Sequence, residues 1–411
     1  MLDIQFIREN TQKVKKGISA KQLDSSLVDK LLELDEERKK LIVEVEALRQ
    51  ERNKIAKEGK ASDEGKKIKE ELKGKEPELA KAEGEYQKIL SLIPNLPAED
   101  VKEGKDESEN EVVRSWGEPS KFDFEAKDHL ALGEALDIID VERAAKVSGA
   151  RFGYLKGDAV LLEFALVQLA LETLMKEGFV PVIPPVLIKK ESMWGMGYLE
   201  NGGEENMYVL DKDGLILVGT SEQSLGPMHT NEVLEAGKLP LRYVGFSPCF
   251  RRETGTSGKD IKGILRVHQF DKVEMFSFVK PEESDKEHDY FLSLEEKLLQ
   301  ALEIPYQVVK MCSGDLGGPA TRKYDLEAWM PGQGTYREVT SASTTTDFQA
   351  RRLNIKYREG GKTEYVHTLN GTAFAIGRTI IAILENYQEK DGSVIIPDVL
   401  RKWIGKDKIT P

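Results

Sequence analysis

The stretch CFRRETGTSGKDIKGILRVHQFDKVE, from Cys249 to Glu274, decides how the rest of the chain is read. It spells a strand, a polar loop and a second strand. Phe250-Arg251-Arg252-Glu253 opens it. Gly255, Gly258 and Gly263 let the loop bend and let a ligand approach the backbone. On the return strand Leu265, Val267, Gln269, Asp271 and Val273 alternate with Arg266, His268, Phe270, Lys272 and Glu274, so the two sets face opposite sides. The second set places two cations, a histidine, an aromatic ring and an acid side by side. Unpaired charges are too costly to bury, so such a face is not ordinary core. It suits a polyanion carrying a flat ring: arginines grip phosphate, the ring stacks on a base and the acid takes an amine. A solvated hairpin with scattered ion pairs is the other reading open at this point.

Length and composition set bounds on either reading. At 411 residues the chain has room for two or three domains and a sizeable core. A net charge of -12 argues against a protein that coats nucleic acid generally, while leaving room for a local basic patch. No apolar run approaches the roughly 18 residues of a membrane span. The opening MLDIQFIREN lacks the apolar core of a signal peptide. Cys249 and Cys312 are the only cysteines, and with five scattered histidines they offer no zinc-ligand spacing. The expectation is a reduced, cytoplasmic protein without structural zinc.

The amino-terminal quarter reads as a helical arm. Residues 1–26 form a short helical lead-in. From Leu27 the positions Leu27, Leu31, Leu34, Arg38, Leu41, Val45, Leu48, Arg52 and Ile55 step by four and three, a heptad seam interrupted twice by arginine. Residues 57–67 read as a turn. A second seam follows through Ile68, Leu72, Lys75, Leu79, Ala82, Tyr86, Ile89 and Ile93, until Pro94 and Pro97 stop it. Two helices of matching length make an antiparallel hairpin of about 45 Å at about 1.5 Å per residue. Pro77 predicts a kink or break in its second helix. Lys54, Lys57, Lys60, Lys66, Lys67, Lys69, Lys73 and Lys75 outnumber the acids near the tip, which could then touch a phosphate backbone; a spacer or dimerisation coiled coil is the alternative. The acidic, proline-bearing linker over 93–119 predicts a boundary near 105–112, giving an arm domain of 1–108 and a second domain of 109–411.

In that second domain no glycine-rich nucleotide fingerprint follows a strand, so a Rossmann or P-loop site is unsupported. Residues 160–177 predict an apolar helix ended by Gly178. The segment FVPVIPPVL then predicts an edge or interface strand, since prolines are excluded from central ones. Thr220-Ser221-Glu222, after GLILVG, could hold an ammonium group, and equally could cap a helix. Glu338 and Ser341 could share one hard cation such as magnesium; a polar loop rich in serine and threonine is the other reading. Asn370-Gly371-Thr372 reads as a turn, followed by an apolar helix over 373–387. Arg378 inside that helix calls for an anion such as phosphate.

These pieces resemble one family. Phe-Arg-x-Glu, a glycine-bearing loop and Arg-x-His-Gln-Phe-x-Lys-Val-Glu look like motif 2 of the class II aminoacyl-tRNA synthetases in its seryl form. The helix and strand around Pro185 look like motif 1, which forms a homodimer interface. The segment NGTAFAIGRTIIAILENYQ looks like motif 3 in its seryl Gly-Arg-Thr form. FIREN, LDEERKKL, ALRQERNKIAKE, IPNLP and the Asn110–Gly117 segment resemble the tRNA-binding arm of bacterial-type seryl-tRNA synthetases. The resemblance implies an α+β fold: a helical hairpin joined to a mostly antiparallel sheet flanked by helices. It implies ATP-dependent attachment of L-serine to tRNA(Ser) through a seryl-adenylate, with the selenocysteine tRNA left open as a second substrate.

The same resemblance assigns the residues. Arg251 and Arg378 are the implied catalytic groups. ATP falls to Arg251, Arg252, Glu253, Arg266, Phe270, Glu338, Val339, Thr340, Ser341 and Arg378. Magnesium falls to Glu338 and Ser341, and serine to Thr220, Ser221, Glu222, Arg251, Glu274, Asn370 and Thr372. The family pattern Glu-Ile/Val-Ser-Ser-Cys-Ser-Asn is altered here by Thr340, Ala342 and Thr344, which puts the shape of the pocket wall in question. An inert paralogue should have lost the phosphate arginines or metal ligands, and both are present. A ligase that charges a carrier protein on the same core would not need the basic-tipped hairpin.

Overall fold

The computed structural model describes residues 1–57, 63–254 and 263–411. They form two compact units, Met1–Leu96 and Pro97–Pro411. The division falls earlier than residue 108. The reason is local: Ala98 N–H already donates to the Thr321 carbonyl, Asp100 pairs with Lys310 and Arg322, and Val101 packs with Val309 and Met311.

The first unit contains helices α1 (Ile4–Glu9), α2 (Thr11–Ala20), α3 (Leu27–Lys57) and α4 (Asp63–Leu92). Asp3 caps α1 by accepting from the N–H groups of Gln5 and Phe6. Of the residues expected as a turn over 57–67, Lys57 belongs to α3 and 63–67 to α4. Glu58 and Lys60 of the tip lie outside the described residues, as do Gly255 and Gly258. Arg38 against Tyr86 and Arg49 with Glu76 join α3 to α4 in antiparallel order, and Lys75–Glu44 adds a further ion pair between them. The break expected at Pro77 does not occur; α4 continues through it. The ion pairs of Lys75 and Glu76 lie just ahead of the proline, and Leu72 and Leu79 pack with α3 on either side of it. The seam differs from expectation at several points: Val28 rather than Leu27 is buried, and Arg52 is exposed. Asp35 is buried where Arg38 was expected, and it holds Arg8, Arg38 and Lys39. Arg38 itself lies over the Tyr86 ring, 4.3 Å from its centroid.

The second unit is built on an eight-stranded sheet. Its strands are β1 (Glu111–Trp116), β2 (Val180–Val182), β3 (Leu241–Phe250), β4 (Gln269–Val279), β5 (Tyr306–Lys310), β6 (Arg322–Met330), β7 (Thr335–Thr346) and β8 (His367–Ala375). Their spatial order is β1-β5-β6-β7-β8-β4-β3-β2. Every pairing is antiparallel except β2 with β3, so the proline-bearing segment is an edge strand. Helices α5 (His129–Ala135), α6 (Asp158–Lys176), α7 (Ser284–Ala301) and α8 (Ile376–Asn386) complete the frame. Val273, Met275, Leu326, Ala342 and Ala373 form one core with side chains of α6, α7 and α8. Strand alternation then aims Lys272, Glu274, Asp325, Ser341 and Thr372 to the other face. No helix among the described residues is long and apolar enough to cross a membrane.

Two local expectations are corrected. The return strand starts at Gln269, not Leu265, and β3 stops at Phe250. Glu253 and Gly263 adopt positive φ values of 50° and 76°, which take the chain out of extended pairing. Asn370-Gly371-Thr372 is strand rather than turn. Gly371 pairs between Met275 and Ala342, where a Cβ would stand 2.9 Å from Glu295 Oε1 and 3.0 Å from the Phe291 ring. The glycine there serves close packing, not a bend.

Candidate active site

The polar sheet face carries a cleft with two adjoining compartments. The first is lined by Arg251, Glu253, Arg266, Phe270, Glu338, Val339, Thr340, Ser341, Thr372 and Arg378. The second takes Thr220, Glu222, Glu274, Asn370 and Tyr198. Four residues belong to both: Arg251, Lys272, Glu338 and Ser341.

The first compartment is cationic and its cations are already engaged. Arg378 Nη1 donates to the Glu338 carbonyl at 2.9 Å and to Glu338 Oε2 at 3.0 Å. Arg251 Nε donates to the Gly219 carbonyl at 3.1 Å, and its guanidinium covers the Phe270 ring at 5.2 Å. Arg266 lies 3.5 Å from Glu253 Oε2, while its buried Nε has no hydrogen-bond partner. Withdrawal from water would raise the Glu338 carboxyl, but Arg378, Lys323 and Arg251 outweigh it and hold it at about 2.

Glu338 and Ser341 are three apart, a spacing that in a regular strand points them to opposite faces. The pairing of β6 with β7 slips between Leu326 and Glu327: Leu326 faces Thr340 while Glu327 faces Glu338. The extra residue, Val339, is a β-bulge, and it re-aims Glu338 beside Ser341. Asp325 is the cross-strand neighbour of Ser341 and is ion-paired with Lys323. Burial pushes Asp325 up to about 7; Lys323 opposes that shift and Glu338 adds to it.

The second compartment is built around two acids. Glu274 Oε2 lies 2.7 Å from Lys272 Nζ and accepts from the Thr372 hydroxyl at 3.0 Å. Glu222 accepts from the Tyr198 hydroxyl at 2.8 Å. Burial, with Glu274 nearby, raises Glu222 to about 7.

Two expected residues lie off the cleft. Arg252 is exposed, and its N–H donates to the Asn206 carbonyl. Ser221 is buried behind the wall, with its hydroxyl 2.9 Å from that of Ser247. The residues that depart from the family pattern engage groups outside the cleft. Thr340 donates to Glu295 on α7, Thr344 meets Ser284, and Ala342 is core. Tyr198, Lys323 and Asp325 were not singled out from sequence, and Lys272 was placed on the ligand face without a specific role. For Lys272 the signal was present, since it alternates with Phe270 and Glu274; Tyr198 and Lys323 reach the cleft only through the fold.

A sheet of this topology, with a cationic compartment beside an acidic one, defines the class II aminoacyl-tRNA synthetase core. Residues 208–387 match the model of the tRNA synthetase class II core domain (G, H, P, S and T), and residues 1–97 match the seryl-tRNA synthetase N-terminal domain. A serine–tRNA ligase of Dictyoglomus thermophilum is 48% identical over 423 residues, covering 100% of both chains. The crystal structure of seryl-tRNA synthetase from Pyrococcus horikoshii complexed with ATP superposes with a TM-score of 0.93 at 43% identity, covering 100% of both chains. A cytoplasmic serine–tRNA ligase from Naegleria fowleri in complex with AMP gives 0.89 at 35% identity, covering 100% of this chain and 99% of that one. The chain belongs to the seryl-tRNA synthetases.

Proposed function

We propose that the protein joins L-serine to tRNA(Ser) in two steps driven by ATP. Serine's carboxylate attacks the α-phosphorus and pyrophosphate leaves; the seryl group then passes to the terminal ribose of the tRNA. The observation that carries this reading is the junction of the two compartments at Arg251, Lys272, Glu338 and Ser341. A cationic chamber with an aromatic platform suits ATP, and a small acidic one suits an amino acid.

The physical task of step one is to bring two anions together. Arg251 serves the α-phosphate, and Arg266 and Arg378 the outer phosphates. Phe270 carries the adenine, sandwiched against Arg378, and Glu253 accepts from its amino group. Nucleotide binding exchanges the present Arg251–Phe270 and Arg378–Glu338 contacts for contacts with base and phosphate. Glu274, Thr220 and Thr372 read serine's ammonium and hydroxyl, with Glu222 and Asn370 completing the wall. Serine is separated from alanine by buried polar contacts and from threonine by bulk.

Glu338 and Ser341 fit magnesium. They are hard oxygen donors on one face, Glu338 is held as the carboxylate, and no cluster of three or more metal-binding side chains exists among the described residues. That donor set suits an ion bound through one carboxylate and substrate phosphates. Bound there, it would neutralise phosphate charge.

The first unit serves as the tRNA-holding arm. Leu161, Phe164 and Met175 on α6, with Val180 and Ile183 beyond it, are exposed apolar residues, Ile183 at 86%. They support a homodimer formed through this surface. The reaction belongs to the cytoplasm, where tRNA is charged.

Pyrophosphate exchange measured with each amino acid tests the assignment. Serine should support exchange, with alanine lower by about four orders of magnitude and threonine by about two. Exchange driven best by another amino acid overturns it.

A further inference from the structure

Lys272 is the one residue of the junction without a role in the reaction described so far. Its side chain is 7% exposed, and Glu274 fixes its ammonium at 2.7 Å. Its position on β4 is informative. Phe270, Lys272 and Glu274 follow one another on a single strand face, at intervals of about 6.6–6.8 Å. If Phe270 carries adenine and Glu274 the serine ammonium, the strand is a ruler laid along the reacting pair. What lies between base and amine in that pair is the α-phosphate and the serine carboxylate. Lys272 stands at that interval, and it faces both compartments.

We propose that Lys272 is a further catalytic residue: its ammonium binds the serine carboxylate and steers it onto the α-phosphorus. This rests on the seryl-adenylate reading. In the step a carboxylate oxygen forms the bond to phosphorus, the bond from phosphorus to the bridging oxygen breaks, and pyrophosphate leaves with that electron pair. Lys272 keeps its proton throughout. It offsets the carboxylate's charge as the two anions approach, then holds the carbonyl oxygen of the mixed anhydride. The Glu274 contact pre-sets the lysine so that little side-chain entropy is lost on binding.

A lysine that merely balanced Glu274 would fail a specific comparison. Serinamide keeps serine's ammonium and hydroxyl and lacks the anion. Inhibition by serinamide and the KM for serine are measured in pyrophosphate exchange and, for slow variants, by equilibrium binding. The wild-type protein should prefer serine strongly. Lys272→Met should weaken serine about 10- to 100-fold while leaving serinamide within about threefold, so that the preference collapses. Lys272→Arg, which keeps a cation, should retain most of the preference. If Lys272→Met does not fold, Lys272→Gln, which can still hydrogen-bond Glu274, gives the same comparison. Equal loss of both ligands in these variants makes Lys272 a counter-ion to Glu274 and overturns the proposal, as does an unchanged preference. Absence of serine-dependent exchange in the wild-type protein is a separate outcome, and it overturns the underlying reading instead.

Discussion

Two carboxyl groups share the serine compartment and experience it differently. Glu274 is held by an ammonium and a hydroxyl, whereas Glu222 meets the neutral hydroxyl of Tyr198. Burial and the neighbouring Glu274 carry Glu222 up to about 7 from its usual 4.5. Above the usual value the unfolded chain gives up this proton while the folded chain keeps it. Stability therefore falls as pH rises from about 4.5 to about 7, and the loss then levels off. Glu222→Gln is uncharged at every pH and can still accept from Tyr198. It should gain stability over wild type as pH rises, by on the order of 3 kcal/mol at pH 8 and little at pH 4.5. Urea midpoints at the two pH values check this, and an equal shift at both speaks against it.

At the scale of elements, one bulge in β7 sets the proposed magnesium site. Glu338 faces the cleft only because Val339 is unpaired, so a single backbone irregularity puts two oxygen donors side by side. Glu338→Ala should raise the magnesium concentration for half-maximal exchange about tenfold or more. Magnesium titration of exchange by the variant decides it; an unshifted curve removes Glu338 from the site. Such irregularities mark where the sequence ceased to be legible. The arm helices, the apolar helix α6, the edge strand and the clustering of Arg251, Arg266 and Arg378 on one cleft were readable, because period, proline placement and charge on a shared face are local signals. Asn370 to Thr372 looked like a turn because asparagine and glycine favour turns; pairing with both neighbouring strands overrides that preference. The positive φ of Glu253 and the inward rotation of Ser221 leave no composition signal. Pro77 predicted a kink or break; a helix interior disfavours it, but packing against α3 keeps α4 unbroken there.

For the whole molecule, the division at Leu96 separates the two proposed tasks. Every group assigned to adenylate formation lies in the second unit, and the long helices lie in the first. Replacing residues 30–92 with a short Gly/Ser linker should therefore leave serine-dependent exchange nearly intact and cripple tRNA charging. The lost affinity should be largely electrostatic. In the intact protein, binding of tRNA should weaken with salt by about 0.7–0.9 log units per tenfold change for each phosphate neutralised, and the truncated form should show a shallower slope. Charging by the truncated form with unchanged efficiency and salt slope would make the arm a spacer.

The interior of the arm is uneven along its length. Ile7, Val14, Ile18, Leu31, Tyr86 and Ile93 pack with others into a broad cluster near the base of α3 and α4, and Asp35 gathers three cations beside it. Farther out the buried seam narrows to Val45, Ile68 and Leu72. An arm built this way should open by degrees. Amide hydrogens around Leu31 and Tyr86 should exchange with solvent only when the unit comes apart, and those near Asn53 and Lys66 through fraying from the end. It should behave as a zipper fastened at the base, opening first around Asn53 and Lys66 while the base around Leu31 and Tyr86 stays closed.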